Sequence, residues 1–177
     1  MHTSSHNKNR VDSIYYVEHR SPVDTLLVAA TDAGISGIYF QNHRHFKGKD
    51  SWLEAPEHPH LKRAIQQLDE YFGRTREQFD LSLALRGTPF QCAVWKALIT
   101  IPFGQLTTYG ERAANIGKTN AVRAVGTAIG RNPVSIVVPC HRVVGASGTL
   151  TGYVGGLERK AFLLQFEQTR KVQYDFV

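Results

Sequence analysis

The hydrophobic spacing of this chain changes period once, at RGTP (residues 86–89), and nothing else in it constrains the fold as strongly. Before that point apolar residues come in short runs: IYYVEHR (14–20), TLLVAA (25–30) and ISGIYF (35–40), punctuated by SP at 21–22 and DAG at 32–34. Such runs between turn formers read as an antiparallel meander. NHRHFKGKDSW reads as a polar loop. PHLKRAIQQLDEYF places Leu61, Ile65, Leu68 and Phe72 three or four apart, a helix that Gly73 ends. FDLSLAL (79–85) alternates and is expected to add a strand.

Beyond the break the period is helical. Thr88 is an N-cap with Pro89 at the first helical position, and Phe90, Val94 and Leu98 form a stripe beside Trp95. IPFG ends that helix. Thr108 and Glu111 make a capping box for a second helix through Tyr109, Arg112, Ala113 and Ala114 to Gly117. A third covers about 120–130, with Val122, Val125 and Ile129 as its expected buried stripe. The short IGKT link gives helix-turn-helix spacing, which many αα-corners that bind nothing share. Another face holds Asn120, Arg123 and Thr127 beside Gly126 and Gly130, one long cation among small residues. SIVV reads as a short strand ending near Cys140. LERKAFLLQFE reads as a last helix with Leu157, Ala161 and Leu164 on one face. Glu167 then falls near its C-terminus, where the helix field disfavours a carboxylate. The expected architecture is an α/β N-terminal domain, an antiparallel sheet with a helix, over residues 1–86. A mostly helical C-terminal domain with a helix-turn-helix and a short strand follows over 87–177.

Charge and cysteine usage narrow the classes. Residues 1–85 carry 10 Lys or Arg against 11 Asp or Glu, whereas 86–177 carry 11 against 4, so the basic excess sits in the second half. Such an excess suits phosphates or merely solubility. No run of eighteen apolar residues exists, so no membrane span is expected. MHTSSHNKNRVD lacks an apolar core, which argues for a loose tail, not a signal peptide, and for a cytoplasmic protein. Two cysteines, Cys92 and Cys140, make no disulfide framework.

Cys140 sits in SIVVPCHRVVGASGTLTGYVGG, directly before His141 and Arg142. A metal role fails on spacing, because no second cysteine lies two to four residues away. The histidines at 2, 6, 19, 43, 45, 58 and 60 are read as solvent-exposed loop residues, and no metal or cofactor is expected. A nucleophile needs an accessible sulfur, a base and something to hold the base. His141 is a candidate base that requires a turn or a bridging water, and Glu167 could orient it if the last helix folds back. A small buried cysteine fits the same residues.

The run NPVSIVVPCHRVVGASGTLTGYVGG closely resembles the 6-O-alkylguanine-DNA alkyltransferases. TPFQCAVW, IPFGQLTTYGE, AVRAVGTAIGRNP, PCHRV and GYVGG occur in that family's order between Gly87 and Glu167. The first half resembles the family's ribonuclease-H-like N-terminal domain in topology only. The resemblance implies direct-reversal repair of duplex DNA without a cofactor. Cys140 takes the alkyl group from 6-O-alkylguanine, and less well from 4-O-alkylthymine, once per molecule after base flipping. It makes His141 the water-linked base, Glu167 its orienting acid, Asn132 the hinge residue and Tyr109 a donor to the base that crowds the 3′ phosphate. Arg123 enters the duplex, in the minor groove, with Thr108, Asn120, Gly126 and Thr127 among the DNA-binding residues. Val143, Tyr153, Val154, Gly155 and Gly156 belong to the substrate pocket. A monomer in solution is expected, with cooperative assembly on DNA left open.

Val154 stands where many relatives carry a small hydroxyl residue. Residues 1–91 contain no cysteine, so the zinc site of some relatives is not expected, and neither is a domain for sensing methyl phosphotriesters. The alternatives are an alkyltransferase-like damage-binding protein, which lacks the cysteine, and a plain helix-turn-helix regulator.

Overall fold

The computed structural model describes residues 12–174, so most of the expected N-terminal tail, with His2 and His6, lies outside the described residues. Strands β1 (Tyr15–Arg20), β2 (Thr25–Thr31) and β3 (Gly34–Phe40) form the expected meander. A two-residue strand β4 (Leu53–Glu54) adds parallel to β1, giving the order β3-β2-β1-β4. Helix α1 (Pro59–Phe72) packs on this sheet through Leu61, Ala64, Leu68 and Tyr71. Its buried stripe is therefore rotated from the expected one, and Ile65 and Phe72 are only half-buried.

The expected strand at 79–85 does not form. Leu83 makes one isolated parallel bridge to Ile35, and the ladder stops there. The pairing between β2 and β3 shifts register at Ala29/Ala30, next to the point where this segment meets β3. Close approach is possible at all because Gly34 has no side chain: a Cβ there would lie 2.4 Å from the Ser82 carbonyl oxygen.

Helix α2 (Pro89–Ile99) opens with a complete capping box between Thr88 and Gln91. Strand β5 (Thr107–Thr108) leads into α3 (Tyr109–Asn115), capped by Thr108 and Glu111 as the sequence predicts. A 3₁₀ turn, Thr119–Ala121, precedes α4 (Val122–Gly130). Trp95 of α2 donates its indole N–H to the Ala128 carbonyl at 2.8 Å, fixing α2 against α4. Val122, expected in the buried stripe, is exposed; Ala128 takes its place beside Val125 and Ile129. Helix α4 starts later than expected, so its first turn projects beyond the core.

SIVV is not a strand. Residues 134–138 form turns, with Val134 alone bridged to Ile38 and Ile136 at φ +72, a conformation that is strained for a β-branched side chain. Asn132 explains the departure. Its side chain binds the Val134 N–H and the Val138 carbonyl, groups that a neighbouring strand would otherwise engage. The chain then turns through the 3₁₀ segment Cys140–Arg142 into β6 (Val143–Val144), which pairs parallel with β5. Cys140 thus opens a tight turn instead of ending a strand.

Helix α5 (Leu157–Tyr174) runs well past Glu167, so that acid is mid-helix. Its buried face is Lys160, Leu163 and Glu167, while Leu157 and Ala161 are exposed. The apolar face expected from Leu157, Ala161 and Leu164 is displaced because two charged side chains point inward, where they have partners. Buried residues of the sheet, α1, α2, α4 and the Cys140 turn form one continuous apolar core.

Candidate active site

The turn at Cys140–Arg142 buries three chemically active side chains in succession. The Cys140 thiol is 5% exposed and accepts a hydrogen bond from the Asn132 amide at 3.1 Å. Burial raises the thiol pKa; the Asn132 bond, the Lys160 charge and the Tyr153 hydroxyl oppose that rise without cancelling it. The sulfur therefore rests protonated and needs a base to become a nucleophile.

His141 is fully buried, and its Nε2 lies 2.8 Å from Glu167 Oε1. Glu167 also accepts from Tyr71 at 2.8 Å, from the Gly104 N–H at 3.2 Å, and from Arg142 through Nε at 3.0 Å and Nη2 at 2.9 Å. Burial alone would raise this carboxyl, but the His141 and Arg142 hydrogen bonds and charges outweigh it and hold the group ionised, far below the usual range. Burial pushes the His141 imidazole down, against the pull of Glu167. A neutral ring facing an ionised carboxylate must place its proton on Nε2. Nδ1 is left as a bare acceptor, buried and without a partner among the described residues.

The sequence reading brought Cys140, His141, Asn132 and Glu167 together but missed three partners. Arg142 clamps Glu167 and also donates to the Ile101 carbonyl at 2.6 Å; a charge inside the apolar run VVPCHRVV was the available signal. Tyr71 comes from α1 of the first half, and only its place in an apolar stripe hinted at burial. Lys160, fully buried, donates to the Val143 carbonyl at 2.6 Å and the Thr151 carbonyl at 3.0 Å. It thereby ties β6 and the following loop together near the thiol.

That loop carries Tyr153, whose buried hydroxyl faces Cys140. Phe40 meets the Tyr153 ring edge-on at 6.1 Å. Gly155 must stay a glycine here, since a Cβ would lie 2.5 Å from the Phe40 ring. Gly156 is exposed at φ +88 and starts the turn into α5. Arg159 stacks over Phe40, pairs with Asp24, and donates to the Gln41 and Gly155 carbonyls at 3.1 and 2.9 Å.

Outside the buried centre lies an open cleft of about 770 Å³. Tyr109, Arg123, Gly126, Thr127, Tyr153 and Val154 line it, joined by Arg44, His45 and Arg131. Gly126 faces the Tyr109 ring, and Thr127 bonds back to the Arg123 carbonyl at 3.1 Å. Thr108 and Asn120 do not line the cleft: the Thr108 hydroxyl caps α3, and Asn120 is exposed on the 3₁₀ turn. Val143 is buried in β6. His43, expected in exposed loop, is buried because the aromatic ring of Tyr39 packs against it at 5.1 Å. Cys92 and Cys140 are both free thiols, and no group of three or more potential metal ligands occurs among the described residues. No helix among the described residues is long and apolar enough to cross a membrane.

Residues 14–85 match the family model described as 6-O-methylguanine DNA methyltransferase, ribonuclease-like domain, and residues 89–169 match the model for the DNA binding domain of the same family. A methylated-DNA–protein-cysteine methyltransferase of Methanosarcina acetivorans is 46% identical over 155 residues, covering 87% of this chain and 98% of the relative. The crystal structure of the Mycobacterium tuberculosis O6-methylguanine methyltransferase superposes with a TM-score of 0.82 at 43% identity, covering 89% of this chain and 94% of that one. A Mycobacterium tuberculosis structure in complex with DNA gives 0.81 at 44% identity, over 88% and 94%.

Proposed function

The chain belongs to the 6-O-methylguanine DNA methyltransferase family, and on that footing we propose that Cys140 is its alkyl acceptor. The protein is a methylated-DNA–protein-cysteine methyltransferase that binds DNA and reverses alkylation directly, through a cysteine. The observation that carries the assignment to Cys140 is the buried Asn132–Cys140 and His141–Glu167–Arg142 arrangement; Cys92 has no such surroundings.

An ether carbon within stacked DNA is out of reach of a buried thiol, so the nucleotide is flipped into the pocket at a cost of a few kcal/mol. Arg123, exposed among small residues at the head of the cleft, fills the gap left in the stack from the minor groove. Tyr109 and Tyr153 contact the flipped base. The Cys140 proton passes through a bridging water to His141 Nδ1, and ionised Glu167 stabilises the imidazolium that results. Asn132 and the Lys160 charge favour the thiolate. Sulfur then bonds the alkyl carbon, the carbon–oxygen bond breaks, and the guanine oxygen's electron pair is neutralised by a proton or hydrogen bond from a tyrosine. The thioether product has no hydrolytic group near it, so each molecule reacts once. 4-O-alkylthymine is a poorer substrate on this reading.

The division into domains at residues 86 and 87, a monomer in solution and a cytoplasmic location complete the proposal. The test is mass spectrometry after reaction with a duplex bearing 6-O-methylguanine. One added methyl on the peptide carrying Cys140, and no second addition with excess substrate, is expected. A methyl on Cys92, or methanol released with repeated turnover, overturns it.

A further inference from the structure

The cleft beside the active site is lined by more than the helix-turn-helix. Arg44 and His45 come to it from the loop after β3, and Arg131 joins them from the end of α4. We propose that Arg44, His45 and Arg131 form a second phosphate-binding rim, which holds the backbone of the DNA strand carrying the flipped nucleotide. This rests on the reading of the protein as a DNA repair enzyme and adds a contact from the first half of the chain.

Three arginines line the cleft, Arg44, Arg123 and Arg131, and no carboxylate does. Outside the cleft, five arginines are paired with acids: Arg63 with Asp80, Arg76 with Glu70, Arg86 with Asp12, Arg142 with Glu167 and Arg159 with Asp24. The three cleft arginines have no ion pair among the described residues. Burial lowers the pKa of His45, and the Arg131 and Arg44 charges lower it further, so the three rim groups feel one another. Like charges gathered without a counter-ion cost free energy that a bound anion removes, and a guanidinium fork matches a phosphate.

The rim is held in place. The His45 N–H donates to His43 Nδ1 at 3.3 Å, and His43 is buried against Tyr39. Phe46 packs on Tyr39 and Trp52 at 5.1 and 5.5 Å. The loop's other cations behave differently: Lys49 is paired with Glu18 and sits over the Tyr16 ring, and Lys47 is exposed away from the cleft. A merely solvated basic loop would not divide its charges in this way. The first half has a formal balance of −1, from 10 Lys or Arg against 11 Asp or Glu, so this rim was invisible to any count of charge.

The experiment measures the salt dependence of duplex binding for Arg44→Ala, Arg131→Ala and the double variant, on DNA bearing 6-O-methylguanine. Each lost phosphate contact should reduce the slope of log K against log salt by about one and weaken binding several-fold at ~150 mM salt. Reaction of the same variants with free 6-O-benzylguanine should stay within about twofold of wild type, since no phosphate is present. Lys47→Ala, the control, should change the slope less than Arg44→Ala. Should an alanine variant fail to react with the free base, Arg44→Gln and Arg131→Gln take its place. An unchanged slope and affinity in the double variant, or equal effects from Lys47→Ala and Arg44→Ala, overturn the rim. If the wild type takes no methyl from DNA, the enzyme reading itself fails; if it does while the double variant binds normally, only the rim fails.

Discussion

Glu167 serves a base and a buried cation at once. It fixes the tautomer of His141 and neutralises Arg142, a guanidinium only 5% exposed. Replacing it by glutamine therefore does more than slow a proton transfer: it strands a buried cation. Glu167→Gln should reduce single-turnover transfer and also cost about 3 kcal/mol of stability, the usual consequence of breaking one side of a buried pair. Stopped-flow transfer assays and urea melts measure the two effects separately. Loss of rate with no change in stability would assign Arg142 another partner. The two cysteines should behave in opposite ways. Cys140→Ser should keep DNA affinity and lose transfer, because a hydroxyl supplies almost no anion for displacement at carbon. Cys92 is half-buried with its sulfur 3.8 Å from the Gly87 carbonyl, so Cys92→Ala should keep transfer at a packing cost of about 1 kcal/mol or less.

Among the elements, the loop between β6 and α5 is held by side chains from both halves of the chain. Arg159 ties it to Asp24 and Gln41, across the chain's two halves. Arg159→Ala should loosen residues 150–156, which hydrogen exchange would report as faster amide exchange there, and should slow transfer to both DNA and free-base substrates. Exchanging the charges, Asp24→Arg with Arg159→Asp, should recover part of the lost rate; no recovery would make the arginine's stacking on Phe40 the dominant contact. Local signals foretold much of this architecture. Capping residues gave the starts of α2 and α3, and short apolar runs gave β1 to β3, because those cues act within a few residues. Two of the misjudged elements show the long-range reasons most directly. SIVV carries a strand's composition, but Asn132 takes its backbone partners. The inward face of α5 contains Lys160 and Glu167, whose partners Val143, Thr151, His141 and Arg142 are distant in sequence, so periodicity pointed to the wrong side. Likewise Cys140 and His141 were legible as a motif, whereas the Arg142 clamp on Glu167 was not, and Tyr71 joins the site only through packing of α1.

At the scale of the whole molecule, the first half supports the chemistry of the second. Ile38 exchanges backbone hydrogen bonds with Pro133 and Ser135 on either side of Val134, next to Asn132. His43 is buried at the same junction, and burial lowers its pKa to about 4. A histidine depressed on folding binds fewer protons folded than unfolded, so it costs stability as pH falls below its ordinary 6.5 and stops adding cost near 4. The full difference is on the order of 3 kcal/mol. Urea midpoints between pH 7 and pH 4 should fall accordingly, and His43→Gln should flatten the profile over that window. The shared core and the Ile38–Val134 bridge have one more consequence. Cut at the exposed Arg86–Gly87 link, the chain would give two fragments, each missing the other's half of the packing surface. Fused to two proteins that meet inside a cell, the fragments should regain a reactive Cys140 only when brought together. A fluorescent benzylguanine would then leave a permanent covalent record of that encounter.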